Sequence, residues 1–176
     1  MRSSTVRLLG LCSLLAAGVM AACDDDNDPV TPAARPTRFV ANMANANEIP
    51  VATPAAPSSG TATFEYTGAN TMTFRIVANS AITNVNNGHI HIGTVDNNGG
   101  VIVPYFPTKT PAVSYTAGQE IASGTITNAS VSAINSRPAI TVDSLRTLME
   151  KGVVYSNIHT SAFTGGEMRA QIVPAP

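Results

Sequence analysis

Tryptophan is absent from this sequence of 176 residues, and aromatic residues make up only 5 % of it. Charged residues reach 12 %, about half the usual share of ~25 %, and the two signs nearly cancel. No basic stripe is present, which argues against a nucleic-acid partner, and so balanced a charge gives little steering of any partner. There is no Gly-x-Ser-x-Gly elbow, no phosphate-cradling glycine loop and no candidate cysteine nucleophile. No apolar run is long enough to span a bilayer as a helix. What remains is Val, Ile and Ala spread among Thr, Ser, Asn, Gly and Pro, a mixture that favours short strands and turns over long helices.

The N-terminus reads as a leader. Arg2 and Arg7 supply a positive start, Leu8 to Met20 is an uncharged, largely apolar run of signal length, and Ala21 and Ala22 precede Cys23. Met-Ala-Ala-Cys resembles a lipobox, with cleavage before Cys23 (residues 1–22 removed) and acylation of its thiol. Of the two cysteines, Cys12 lies in the leader, so the exported chain has no disulfide. Residues 23–36, with Asp24, Asp25, Asp26, Asp28 and three prolines, read as a flexible tether. Such a chain is exported and held by lipid at the cell envelope. The outer membrane or cell surface is favoured, with the periplasmic face of the inner membrane as the other location.

The domain, residues 37–176, has a period of two. Thr37 to Met43 reads as a strand and Asn45 to Ser59 as a loop. Gly60 to Tyr66 places Ala62, Phe64 and Tyr66 on one side; after a turn at Gly68 to Asn70, Thr71 to Asn79 does the same with Met72, Phe74, Ile76 and Ala78. Further strands are expected at His89 to Gly93, Val101 to Val103, Gln119 to Ala129, Val153 to His159 and Glu167 to Val173. One helix is expected at Val142 to Lys151, capped by Thr141 or Asp143, with Leu145, Leu148 and Met149 at helical spacing and Gly152 as its stop. About seven to nine short strands with one short helix predict an all-β, antiparallel sandwich or barrel-like single domain.

Four blocks, in order, carry a family resemblance: Asn47-Glu48-Ile49-Pro50, His89-Ile90-His91-Ile92-Gly93, Tyr155-Ser156-Asn157-Ile158-His159-Thr160 and Gly165-Gly166-Glu167-Met168-Arg169-Ala170-Gln171. Val101-Ile102-Val103-Pro104 fits with them. The set resembles the CHRD domain, the module first described in chordin and found alone in many bacterial secreted proteins. Ala170 stands where that family usually has Gly. The resemblance implies a sandwich-like all-β fold and an extracellular setting, and implies no reaction.

His89, His91 and His159 are the only histidines. The first two, one residue apart on a strand, share a face, and the third comes from another strand. Imidazoles converging in this way suit one zinc or copper ion; alternatively they form a structural hydrogen-bonded network. The His-x-His strand resembles that of copper–zinc superoxide dismutases, whose dinuclear site needs more histidines than this chain has. Glu167, sharing a strand face with Arg169 and Gln171, reads either as a fourth ligand or orienting partner or as part of a clamp. In the clamp, Arg169 pairs with Glu48 or Glu167 and pins the long N-terminal loop. The favoured function is non-enzymatic binding or scaffolding at the envelope, with an unknown protein or carbohydrate ligand. The alternative is a mononuclear copper- or zinc-binding protein, either a simple binder or oxidoreductase-like.

Overall fold

The computed structural model describes residues 34–68, 70–131 and 139–176. The leader, Cys23 and the tether up to residue 33 lie outside the described residues. Among these residues ten strands run as β1 Arg38–Ala44, β2 Ser59–Gly68, β3 Thr71–Ala78, β4 Ile82–Ile92, β5 Val101–Pro104, β6 Val113–Tyr115, β7 Glu120–Thr127, β8 Val154–Thr160, β9 Met168–Gln171 and β10 Val173–Pro174. One α-helix among them, α1, spans Val142–Glu150 between β7 and β8.

The strands form a single antiparallel sheet in the order β5-β4-β8-β9-β1-β2-β3-β7, with β10 added to β1 and β6 to β4. The sheet curls into a nearly closed barrel. At its seam Lys109 Nζ donates to the Tyr115 hydroxyl at 2.5 Å and to the Ile121 carbonyl of β7 at 3.2 Å. Alternation builds the core as expected. Phe39, Ala41 and Met43 of β1 are buried, as are Ala62 and Phe64 of β2 and Met72, Phe74, Ile76 and Ala78 of β3. The β2–β3 register pairs Phe64 with Phe74 and Ala62 with Ile76. Gly68 (φ 88°) and Asn70 (φ 60°) flank the turn, both in the left-handed region that these two residue types tolerate best.

Helix α1 covers part of this core with Val142, Leu145 and Met149. Thr141 is the cap, its Oγ1 accepting from Ser144 N at 3.1 Å. Asp143 instead accepts from Arg35, whose guanidinium also reaches Glu150 and Thr147. The Pro36 carbonyl accepts from Arg146 Nε at 2.8 Å. Arg35 and Pro36, assigned to the tether, are therefore docked on α1.

One strand was read short and one went unread. β4 begins at Ile82, well before His89, and β6 had no signal. Asn84, Asn86 and Asn87 break the alternation and have low strand propensity. Their pairing shifts register between Ile82 and Val85 against β6, and between Val85 and Asn87 against β8. Neighbours on both sides impose the strand there. Gly88 belongs to the same stretch: a Cβ on it would overlap Ile158 Cδ1 of β8, so the absent side chain lets the core close.

All seven residues of β8 are buried. Val154, Ser156 and Ile158 face the barrel. Tyr155, Asn157 and His159 face outward, where loops 45–58, 93–100 and 161–166 cover them. That outer wall, formed by β4, β8 and β9, holds the candidate site.

Candidate metal centre on the outer wall

Antiparallel pairing places His89 opposite Asn157, His91 opposite Tyr155 and Asn87 opposite His159. The next ladder places Asn157 opposite Arg169 and Tyr155 opposite Gln171. His89 and His91 thus rise from the outer face of β4, and His159 arrives diagonally from β8. Ring centroids lie 5.4 Å apart for His89–His91, 4.9 Å for His89–His159 and 5.9 Å for His91–His159. One nitrogen from each ring falls within 4.8 Å of the others. An ion bonded at ~2.0–2.1 Å needs nitrogens about 3.3–3.5 Å apart, so loading would draw the rings slightly together.

The hydrogen bonds define which nitrogens are free. His91 Nδ1 lies 2.9 Å from the Gly99 carbonyl and His159 Nδ1 lies 2.8 Å from the Thr164 carbonyl. A carbonyl only accepts, so both Nδ1 atoms carry the proton and both Nε2 atoms present a lone pair. This is the arrangement in which backbone carbonyls orient metal-binding imidazoles. His159 Nε2 accepts from His89 Nδ1 at 3.0 Å. His91 Nε2 is buried and has no hydrogen-bond partner among the described residues. Burial holds His89 down at about 4, helped by the two neighbouring imidazoles. It holds His91 at about 4 as well, against the opposing Gly99 carbonyl. Burial lowers His159 too, with the Thr164 carbonyl opposing. At neutral pH the cluster is three neutral imidazoles, the form that binds metals.

Glu167 is not brought into this set. Its Oε2 accepts from Thr160 Oγ1 at 2.7 Å, at the end of β8, so its carboxylate is committed elsewhere. The ion pair expected between Arg169 and Glu48 or Glu167 is not formed either. Arg169, 1 % exposed, lies over the Tyr155 ring at 3.8 Å. It donates to Asn98 Oδ1 at 2.7 Å and to the Thr94 and Asn97 carbonyls at 3.0 and 3.3 Å. It does pin a loop, but the loop is 93–100, and the grip is on carbonyls. The 45–58 loop is held by others: Asn47 Nδ2 donates to the Arg169 carbonyl at 3.1 Å, and Glu48 Oε1 accepts from Asn157 Nδ2 at 2.6 Å. Asn157, directly opposite Arg169, takes the carboxylate that the sequence offered to the arginine. Burial raises the Glu48 carboxyl to about 7, with the Arg169 charge and the Ile49 amide opposing.

Reasoning from sequence passed over Tyr155 and Asn157. Tyr155 stacks on His91 with centroids 4.9 Å apart and planes 6° from parallel. Both residues lie in the block that contains His159, and period-two alternation along β8 places all three on one face. That signal was legible. Asn98 carried none, being one turn residue among several.

The architecture is that of a small all-β barrel with a polar, ligand-capable cluster sealed on its outer wall by loops. Residues 39–172 match the CHRD domain family, and the chain belongs to it. The CHRD domain is typically an extracellular module. No curated protein and no solved structure matches the chain significantly. No helix among the described residues is long and apolar enough to cross a membrane.

Proposed function

We propose that this protein is a lipid-anchored CHRD module of the cell envelope that binds one transition-metal ion, zinc or copper, through His89, His91 and His159. The observation that carries the reading is His91 Nε2, a buried lone pair without a partner among the described residues, in a cluster of three neutral imidazoles with one nitrogen of each within 4.8 Å of the others. Leaving such an acceptor unsatisfied costs roughly 1–3 kcal/mol, which a bound cation would remove. The role is binding, with no catalytic set beside it among the described residues. The polar covering loops would meet a protein or carbohydrate partner.

The test is metal analysis of the untagged full chain purified in detergent, followed by titration with zinc and copper. One ion per chain is expected, lost when all three histidines become alanine. Equal binding in that triple variant would reject these ligands. The anchor rests on Met-Ala-Ala-Cys before the acidic tether: Cys23→Ser should leave unprocessed or soluble protein, and processed protein still partitioning into detergent would refute it.

A further inference from the structure

We infer that Asn157 completes this centre: its amide oxygen is the fourth donor to a divalent ion, directly or through one water, and Glu48 is the positioning residue that turns it there. The inference rests on the metal reading above. Asn157 stands directly opposite His89 in the β4–β8 ladder, on the same outward face. Side chains so paired begin about 4.5–5.5 Å apart at Cβ. Asn157 is 1 % exposed. Its Nδ2 is spent on Glu48 Oε1 at 2.6 Å. Since a carboxylate accepts, the nitrogen end of the amide faces Glu48 and the oxygen end faces away from it. Oδ1 then has no partner among the described residues, as is also true of His91 Nε2.

Two buried acceptors without donors thus sit on one face of two adjacent strands, beside two further imidazoles. A cation satisfies both at once. Gly166 locks the arrangement: with φ 134° it runs so close that a Cβ there would overlap Asn157 Nδ2 and Glu48 Oε1. The donor set is then three imidazole nitrogens and one neutral oxygen. An amide oxygen suits zinc(II) or copper(II), whereas copper(I) has little use for it.

The experiment is competitive titration of zinc(II) and copper(I) against chromophoric chelators, using the untagged full chain in detergent. Wild type, Asn157→Leu, Glu48→Leu and His91→Ala are compared, with visible spectra of the cobalt(II)-loaded forms. Asn157→Leu should weaken zinc by about 10–100-fold, the range for groups supporting a metal site, and shift the cobalt bands. Copper(I) binding should stay within about twofold, since it needs only the imidazoles; this also reports that the variant is folded. Glu48→Leu should move zinc in the same direction by less. Unchanged zinc affinity and cobalt spectra in Asn157→Leu, with binding lost in His91→Ala, would overturn the role of Asn157 and leave the three-histidine centre standing. Loss of zinc and copper(I) together in Asn157→Leu would reduce it to a structural residue. A wild-type chain that binds no metal would overturn both readings, and a water donating to the two acceptors would then be the occupant.

Discussion

On the inner face of β8, Val154, Ser156 and Ile158 look into the barrel; on its outer face, Tyr155, Asn157 and His159 look into a layer of loops. Both faces are buried. The inner one is held by apolar contact, which is undirected and tolerates modest changes of shape. The outer one is held by donors and acceptors that must each find a partner, because an unpaired polar group in such a place is costly. Arg169 uses its guanidinium on two carbonyls, an amide oxygen and an aromatic ring. Gln171 Nε2 reaches the carbonyls of Gly93, Gly152 and Val154. Against that demand, His91 Nε2, Asn157 Oδ1 and Gln171 Oε1 on this face have no hydrogen-bond partner among the described residues.

The largest effect should come from the inner face. Ile158→Ala, at a fully buried position packed on Gly88, should cost about 2–5 kcal/mol in urea unfolding, the range for deleting buried aliphatic groups. A loss under about 1 kcal/mol would mean that the barrel interior is loosely packed.

Acid should strike the outer face alone. Folded His89 and His91 titrate near about 4, below the ordinary 6.5. The unfolded chain therefore binds more protons between those values. Metal-free stability is full above 6.5 and falls as pH drops through the window toward 4, by an amount of order a few kcal/mol. Glu48 has the opposite sign. Its folded carboxyl stands at about 7 against an ordinary 4.5, so its contribution worsens as pH rises between those values. The imidazoles outnumber the one carboxyl, and net stability should fall on acidification. Glu48→Gln should raise stability at neutral pH and steepen that fall. Chelator-treated urea melts across the window measure this, and a flat wild-type profile would mean that the rings are not buried when neutral.

Arg169→Ala should destabilise by roughly 1–3 kcal/mol, the range for hydrogen bonds to charged groups, and loosen residues 93–100 to proteolysis. A change below about 0.5 kcal/mol would place it with ordinary surface residues. The smallest effect belongs to Arg38→Ala. Its partner Glu65 is 3.5 Å away and both side chains are more than half exposed, so the cost should stay within about 0.5 kcal/mol. A larger loss would show that the polar outer face of β1 and β2, unlike that of β8, matters to the fold.

The sequence by itself determined the all-β class, the β2–β3 hairpin, helix α1 with its cap narrowed to Thr141 or Asp143, and the shared face of His89 and His91. Each of these follows from local rules: period-two alternation, cap chemistry and the geometry of one strand. Tertiary structure alone decided the rest. It made β4 a long strand through asparagines that favour turns, because partners on both sides supply its hydrogen bonds. It brought His159 across the ladder to the other two rings, since register is set by the whole sheet. It also gave Glu48 to Asn157 and Arg169 to the carbonyls of loop 93–100. Charge alone predicts attraction between Glu48 and Arg169, but which donor meets which acceptor depends on how the loops fold over β8.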